Sequence, residues 1–220
     1  MLISKKKKFL FIHIPKAAGN SVESALMPWT TTPPASRVHR MLAYARLPKD
    51  YSKRRWQRHG TLLHAQRRIP SEDFHSLYKF SFVRNPWDRL VSSFEYIKAM
   101  PEHPRHQLVY KMSNFSDYLA YEKKQNRRSQ HASLSNAKGE LCMDFIGKYE
   151  HLTKDFQKVC GHLNIEAELP HLNATKHRDY QEYYTKITQE FVARYWKEDI
   201  EAFDYSFDGA STTLPSENRI

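Results

Sequence analysis

Compact apolar runs alternate along the chain with stretches in which apolar residues recur at helical spacing. The run at 9–14 (Phe-Leu-Phe-Ile-His-Ile) predicts a buried strand, and a short helix is expected at about 21–27. Aromatic and polar residues alternate at 78–83, which predicts a second strand, and helical spacing follows over 86–100. A third strand is expected at 144–149. The chain therefore contains strand–loop–helix units of the kind that build parallel sheets.

Residues that favour helix starts follow the first two strands. Asn20 and Glu23 have the spacing of a capping box, which predicts that the first helix starts near Asn20. Asn85 suits the N-cap of the second helix, Pro86 suits its first position and Asp88 its first turn. Each strand is therefore expected to end in a loop that feeds a helix.

The rest of the chain is helical or irregular. Further helices are expected at 115–124, 153–163 and 180–203. We predict a turn at 70–76, a loop at 101–106 and a mobile polar loop at 127–139. One α/β domain is expected over 1–208, and 209–220 is expected to be a flexible C-terminal tail.

This order of elements predicts an α/β fold with an open parallel sheet flanked by helices on both faces. In such sheets, ligands bind beyond the carboxyl ends of the strands. The loops that follow the strands at 9–14 and 78–83 are therefore the first places to look for function.

The composition predicts a polar, globular protein of the cytoplasm. No apolar stretch reaches the about 18 residues that a membrane-spanning helix needs. The apolar run near the start lacks the length and the cleavage site of a signal peptide. Cys142 and Cys160 are too few for a disulfide framework or a zinc site of their own.

The chain of 220 residues carries 35 Lys and Arg against 24 Asp and Glu, a formal charge of +11. Such a charge favours an anionic partner: nucleic acid, a phosphate or sulfate ester, an acidic polysaccharide or a membrane surface. The segment 37–68 holds ten basic residues and one acidic residue, Asp50. It is either a solvated basic face or an anion-facing surface beside a site.

The first loop, Pro-Lys-Ala-Ala-Gly-Asn-Ser at 15–21, has the features of an anion-binding loop. Small side chains let an anion approach the backbone N–H groups, and the helix start adds positive potential. Lys16 can reach the same anion. The spaced glycines of a Walker A motif are absent. From the residues alone, the loop is either a phosphate site or an ordinary turn with an exposed lysine.

The second loop presents Arg84 at a strand end and Ser92 two helical turns later. An arginine offers a bidentate fork for a phosphate, and a serine offers a hydroxyl donor. The alternative is that Arg84 pairs with Asp88 and Ser92 only fills the helix.

Taken together, the two loops resemble those of sulfotransferases that use 3′-phosphoadenosine 5′-phosphosulfate (PAPS). The similar branch includes Golgi carbohydrate sulfotransferases and their bacterial relatives. Ile-Pro-Lys-Ala-Ala-Gly-Asn-Ser at 14–21 resembles the 5′-phosphosulfate loop, and Val-Arg-Asn-Pro-Trp-Asp-Arg-Leu-Val-Ser at 83–92 resembles the 3′-phosphate motif. His-Gly-Thr at 59–61 and Asp-Phe-Ile-Gly-Lys-Tyr-Glu at 144–150 extend the resemblance, which covers most of 8–207.

The chain departs from the family pattern in two ways. Ala17 and Ala18 replace the commoner Thr-Gly or Ala-Gly, so one backbone position is less free. No N-terminal membrane anchor of the Golgi type is present, which points to a soluble, bacterial-type member.

The resemblance implies a P-loop-like sulfotransferase fold and a sulfotransferase activity. The donor would be PAPS, the acceptor a hydroxyl of a carbohydrate or glycolipid, anionic if the basic segment contacts it, and no metal is expected. It implies Lys16 as the residue that stabilises the leaving phosphate and His59 as the general base, with His64 in reserve. The implied donor-binding residues are Pro15, Lys16, Ala17, Ala18, Gly19, Asn20, Ser21, Arg84, Ser92 and Arg178.

Three alternatives remain open. A nucleotide-dependent kinase is disfavoured by the missing Walker A glycines. A nucleic-acid-binding protein is suggested by the charge, but no finger, RNP-like or helix-turn-helix motif is present, so no nucleic acid partner is expected. A catalytically inactive member is disfavoured by the retention of Lys16, His59, Arg84 and Ser92. The sequence leaves the sulfated position and the oligomeric state open.

Overall fold

The computed structural model describes residues 1–30, 51, 56–170 and 178–210. Its strands are β1 (Leu2–Ser4), β2 (Phe9–Ile12), β3 (Tyr78–Val83), β4 (Phe145–Lys148), β5 (Tyr205–Ser206) and β6 (Gly209–Ala210). Its α-helices are α1 (Gly19–Leu26), α2 (Leu62–Gln66), α3 (Ser71–Ser76), α4 (Pro86–Ala99), α5 (His106–Tyr110), α6 (Phe115–Lys124), α7 (Gln130–Leu134), α8 (Leu152–Leu163), α9 (Lys186–Tyr195) and α10 (Lys197–Ala202). Single 3₁₀ turns lie at Met27–Trp29, Tyr149–His151 and Tyr180–Tyr183.

The main sheet has four strands in the order β1-β2-β3-β4. Strands β2, β3 and β4 are parallel, with Ile12 opposite Ser81 and Val83 opposite Lys148. This confirms the predicted α/β fold. Strand β1 was not expected, and it runs antiparallel to β2 because a tight turn over Lys5–Lys8 joins the two. The sheet is therefore mixed at one edge.

The chain forms two compact units, each built from two stretches. The first comprises Met1–Val83 with Ala132–Ala174, and the second comprises Arg84–His131 with Thr175–Ile220. The prediction of one domain over 1–208 stays a prediction.

One cluster of core side chains in the first unit lies on one face of the main sheet. Because side chains alternate along a strand, Phe9 and Phe11 of β2 share this face with Phe80 and Phe82 of β3. Helices α1 and α8 cover the face with Val22, Leu26, Phe156, Val159 and Leu163. His13 follows Phe11 in this alternation, so its side chain is directed toward the same layer.

The second unit is mainly helical. Its core brings together α4, α6 and α9 through buried apolar side chains. These include Trp87, Leu90, Val91, Phe94, Tyr118, Leu119 and Val192. Helix α4 begins as predicted, since the Asn85 side chain accepts a hydrogen bond from the Trp87 N–H and Pro86 occupies the first position.

Several local predictions were wrong. Helix α3 replaces the predicted turn at 70–76, with Phe74 buried beneath it. Helix α7 lies inside the predicted mobile loop at 127–139, where Gln130 and Leu134 are buried. Within the predicted tail, β6 pairs with β5, while 211–220 lies outside the described residues. No helix in the described part of the chain is both long enough and apolar enough to cross a membrane.

Candidate functional site

The loop between β2 and α1 has a backbone suited to binding an anion. Lys16 and Ala18 adopt left-handed conformations, with φ of 67° and 59°. Ala17 between them does not, so the sign of φ alternates along the loop. Such alternation turns successive N–H groups toward one side and forms a concave anion site. The predicted phosphate-binding loop therefore has a matching geometry.

The start of α1 is open, and the predicted capping box is wrong. The N-cap is Ala18, whose methyl group cannot accept a hydrogen bond, and the helix begins at Gly19. The first N–H groups of a helix have no partner within the helix itself. The side chains predicted to cap it are used elsewhere: Asn20 accepts a hydrogen bond from Arg58 at 2.8 Å, and Glu23 contacts His13.

His13 packs directly against the start of α1. Its Nδ1 lies 2.9 Å from Oε1 of Glu23, and its side chain is buried. A Cβ placed on Gly19 would lie 2.1 Å from ring atoms of His13, so a glycine is required there. Residues 19 and 23 are one helical turn apart and face the same neighbour. The His13 ring thus links the end of β2 to the start of α1.

The candidate base His59 is exposed and lies next to His13. The two rings are nearly perpendicular, with centroids 4.7 Å apart. Nδ1 of His59 lies 3.4 Å from the backbone carbonyl oxygen of His13. A carbonyl can only accept, so a hydrogen bond at this contact requires the proton on Nδ1 and leaves the lone pair of the neutral ring on Nε2. His59 therefore presents a basic nitrogen away from this contact.

The pKa values of this cluster favour a neutral base. Burial lowers the pKa of His59 below 6.5, and the His13 ring lowers it further. Burial also lowers the pKa of His13, although the Glu23 carboxylate opposes the change. For Glu23, burial alone would raise the pKa, but contacts with His13 and the Met1 amino group lower it to about 2. At neutral pH the site therefore holds a charged Glu23 beside two neutral histidines.

A pocket adjoins the candidate base. Among the described residues, Trp56, Gln57, Arg58 and His59 line a space of about 540 Å³. Ligand pockets commonly span about 300–1,000 Å³. The reserve candidate, His64, has its Nε2 buried without a hydrogen-bond partner among the described residues, and burial lowers its pKa. The geometry therefore favours His59 over His64 as the group that can reach a ligand.

Arg84, in the second unit, has the local partner that the alternative reading predicted. Its Nε and Nη2 donate to the two oxygens of Asp88 at 2.7 and 2.8 Å, and both residues are buried. The Arg84 backbone is held as well: its N–H donates to Gln130, and Gln130 donates back to its carbonyl. The Arg84 guanidinium, which was predicted to bind a phosphate, therefore already donates two hydrogen bonds to a carboxylate.

The remaining predicted donor residues have different surroundings. Ser92 is buried in α4, at 3% exposure. Arg178 is exposed, lies 3.7 Å from Glu182 and stacks 4.7 Å over the ring of Tyr183. The segment 171–177, which includes the predicted neighbours of Arg178, lies outside the described residues, as does most of the basic segment 37–68.

Two polar residues of these sites were missed by sequence reasoning. Glu23 was interpreted as a cap, although strand alternation places His13 on the face that α1 covers, and that signal was available. Gln130 lies in a polar segment with no pattern that predicts its burial. No group of three or more His, Cys, Asp or Glu side chains in the described part of the chain is arranged to hold a metal ion.

The fold and the loop geometry define an α/β protein in which the loop after the first parallel strand has a backbone suited to binding an anion. A family model described as "Sulfotransferase family" matches residues 1–206. Because this match spans nearly the whole chain, the protein belongs to the sulfotransferase family and is an enzyme of that class. The predicted family is thereby confirmed.

The chain is also similar to individual proteins, among them one from mouse and one from Archaeoglobus fulgidus. The crystal structure of mouse sulfotransferase SULT7A1 complexed with PAP matches with a TM-score of 0.56 and 15% identity. The match covers 92% of this chain and 88% of that chain, and it confirms the sulfotransferase fold. An uncharacterized protein of Archaeoglobus fulgidus is 29% identical over 110 residues, which cover 46% of this chain and 80% of the relative.

Proposed function

We propose that this enzyme transfers the sulfuryl group of PAPS to a hydroxyl of a carbohydrate or glycolipid acceptor. The observation that carries the proposal is the pairing of an open anion loop with an exposed base in the same unit. The loop is formed by 15–18 and the uncapped start of α1, and the His13 ring contacts both Gly19 at this helix start and the ring of His59. The 3′,5′-bisphosphate bound to the mouse relative supports the choice of donor.

The donor loop is assigned the 5′-phosphosulfate. Residues Pro15 to Ser21 would surround this group, with the N–H groups of Ala18–Ser21 directed at its oxygens. Lys16 supplies the positive charge that neutralises the leaving 5′-phosphate as the bond from sulfur to the bridging oxygen breaks. Lysine and helix start together supply the charge stabilisation, and no step requires a metal.

His59 is assigned the role of general base. Its Nε2 takes the proton of the acceptor hydroxyl while the hydroxyl oxygen forms its bond to sulfur. Adenosine 3′,5′-bisphosphate leaves, and the sulfuryl group ends on the acceptor. Because the pKa of His59 is lowered, the ring is unprotonated at neutral pH and ready to accept this proton.

Arg84 and Ser92 are assigned the 3′-phosphate, and Arg178 an outer contact with the nucleotide. Asp88 accepts hydrogen bonds from Nε and Nη2 of Arg84 and so fixes the direction of the guanidinium plane. A guanidinium held in this way is preorganised for a second anion. Loss of the 3′-phosphate from a ligand should then cost affinity through these two side chains.

The acceptor is assigned to the pocket beside His59. Trp56 offers an aromatic wall, and its ring nitrogen donates to the Tyr51 carbonyl. Arg58 adds positive charge at an exposed guanidinium, which also donates to Glu23 and Asn20. Such a lining suits a sugar ring that carries a negative group. The acceptor we propose is accordingly an anionic glycan or glycolipid.

Thermal unfolding with a panel of ligands tests the donor assignment. The panel is adenosine 3′,5′-bisphosphate, AMP, Mg-ATP and a short duplex DNA at about 0.15 M salt. A ligand at a hundred times its dissociation constant stabilises a fold by about 2.7 kcal/mol. We expect a large shift with the 3′,5′-bisphosphate and a small one with AMP, and a Ser92→Ala variant should narrow that difference.

Other outcomes contradict the proposal in different ways. Equal shifts with the bisphosphate and AMP would remove the 3′-phosphate assignment. A shift with Mg-ATP alone would favour a kinase. A salt-sensitive shift with DNA alone would favour a nucleic-acid-binding protein.

A further inference from the structure

The Glu23 carboxylate connects three separate parts of the first unit. Its Oε1 lies 2.9 Å from Nδ1 of His13 at the end of β2. Its Oε2 accepts a hydrogen bond from Nε of Arg58 at 3.2 Å, in the segment before α2. The backbone amino group of Met1 lies 3.3 Å from Oε1. A side chain of α1 thereby connects this helix to two neighbours of His59: His13, which packs against its ring, and Arg58, which precedes it in the chain.

The contact that fixes the His59 ring is weak by itself. Its hydrogen bond to the His13 carbonyl is 3.4 Å long, near the upper limit for such bonds. The proton lies on Nδ1 in this contact, whereas a free histidine side chain prefers it on Nε2. The surroundings must therefore hold the ring in the less common tautomer.

Among the described residues, two contacts that can hold the His59 ring run through Glu23. The His13 ring packs edge-on against His59, and the Glu23 carboxylate and Gly19 keep that ring in place. Arg58 is the chain neighbour of His59, and its guanidinium is held by Glu23 and by Asn20.

We propose that Glu23 is a positioning residue for the base, which holds His13 and Arg58 so that His59 keeps its proton on Nδ1 and its lone pair on Nε2. The inference rests on the proposed function, in which His59 takes the acceptor proton. Glu23 touches neither donor nor acceptor in this account, and it acts only through its neighbours. Among buried catalytic histidines, a carboxylate that orients the ring directly is the familiar arrangement; here the carboxylate acts through a second histidine and an arginine.

Ring ¹⁵N NMR of the histidines in the full-length protein tests this directly. In the wild type we expect the neutral His59 ring to be protonated on Nδ1, with the signal assigned from a His59→Gln variant. In Glu23→Gln we expect a mixture of tautomers at His59. The pKa of His13 should also fall, because its attraction to the carboxylate is lost. The charged groups that face His13 are Glu23 from α1, the Met1 amino group, and Arg58 beside His59.

Turnover provides the second measurement. PAPS turnover, followed as release of adenosine 3′,5′-bisphosphate with water as the acceptor, should fall about 10–100-fold in Glu23→Gln, the size seen when the hydrogen-bond partner of a metal-bound histidine is removed. Affinity for adenosine 3′,5′-bisphosphate should stay close to the wild-type value. Glu166→Gln, the same change at an exposed glutamate of the same unit, is the matched control and should leave both measurements unchanged.

The outcomes separate this inference from the proposed function. If Glu23→Gln keeps the wild-type His59 tautomer and turnover, the positioning role is wrong. If the wild type neither binds the bisphosphate nor consumes PAPS, the proposed function is wrong, and the tautomer measurement still decides the role of Glu23. Should Glu23→Gln fail to fold, Arg58→Gln replaces it, since that side chain is exposed. It should shift the tautomer in the same direction, and an unchanged tautomer would overturn the inference.

Discussion

The ends of strands β2 and β3 lead into helices that begin in opposite ways. Helix α1 starts after Ala18, which offers no cap, and its first turn carries no acidic side chain. Helix α4 starts after Asn85, which caps it, and its first turn carries Asp88. The start of α1 leaves backbone N–H groups and positive potential available to an anion. At the start of α4, the Asn85 cap uses one of the N–H groups, and Asp88 offsets part of the positive potential.

This difference shows which residues decide whether the start of a helix keeps its backbone N–H groups open for an anion. Both loops carry a basic side chain, Lys16 in one and Arg84 in the other, and the basic residues alone do not distinguish them. The distinction lies at the N-cap and in the first turn. At the second loop, the Arg84–Asp88 pair consumes the fork, so an anion there must be bound beside a carboxylate.

The largest loss of stability is expected at the second loop, which follows β3 and contains Arg84. Asp88→Asn leaves the buried Arg84 guanidinium without its counter-ion, and breaking a buried pair in this way costs about 3–5 kcal/mol. Asp117→Asn is the control, since Asp117 is an exposed aspartate in the first turn of α6 in the same unit. Chemical denaturation measures the unfolding free energy of both variants. If Asp88→Asn lowers it as little as Asp117→Asn does, the Arg84–Asp88 pair contributes little to stability.

In the loop between β2 and α1, replacing the basic residue should leave the stability of the fold unchanged and lower the catalytic rate. Lys16→Ala should lower PAPS turnover about 10²–10³-fold, the size typical when one charge-stabilising group is removed. Affinity for adenosine 3′,5′-bisphosphate should fall far less, because the backbone N–H groups remain. Calorimetric titration and turnover, measured on the same preparation, separate the two. A loss of affinity as large as the loss of turnover would make Lys16 a binding residue only.

Gly19 tests whether the His13 ring shapes the open loop. Gly19→Ala places a methyl group within the His13 ring, and overpacking of this kind costs about 1–3 kcal/mol. Gly161→Ala, in helix α8, meets nothing within 4 Å and should stabilise by about 0.5–1 kcal/mol through helix propensity. Opposite signs in thermal unfolding are expected. If Gly19→Ala is as harmless as Gly161→Ala, His13 does not constrain the loop.

Ala18 gives a smaller effect of the opposite sign. An alanine in the left-handed region costs roughly 1 kcal/mol relative to glycine. In Ala18→Gly, the relief of this strain should offset the entropy that a glycine adds to the unfolded chain. The variant should therefore be at least as stable as the wild type and should keep its affinity for adenosine 3′,5′-bisphosphate. A clear loss of stability in chemical denaturation would show that the φ of 59° carries no strain.

The smallest effect concerns pH. Because partial burial lowers the pKa of His59, turnover should decline toward acid pH with a midpoint below 6.5. Protonation removes the lone pair, so the decline is on the acid side. A pH–rate profile between pH 5 and 8 measures it. A midpoint above 6.5 would contradict the role or the environment assigned to His59.

The sequence predicted the parallel strands well because their residues carry strong local signals. The predicted strand at 78–83 is β3 itself, and the predicted 9–14 and 144–149 contain β2 and β4. Strand β1 was missed because three residues carry too little periodicity. Helix α3 was missed because its short polar sequence resembles a turn, and only the burial of Phe74 fixes it.

The candidate site was predictable only where a motif names its residues. Lys16 and His59 were found from the resemblance; the structure places the first in a loop in which the sign of φ alternates, and the second with an exposed ring. The roles of Glu23 and Gln130 depend on contacts with His13 and Arg84 that are distant in sequence. A capping pattern is a local signal, and at Glu23 a tertiary contact overrides it.

Transfer of labelled sulfur tests the central claim most directly. The protein would be incubated with PAPS labelled in its sulfuryl group and with anionic glycans, neutral glycans and glycolipids, and products would be identified by mass spectrometry. We predict labelled sulfate ester on a glycan or glycolipid, one adenosine 3′,5′-bisphosphate released for each transfer, and loss of both in Lys16→Ala. Phosphorylated product from Mg-ATP, with no label transferred from PAPS, would contradict the account.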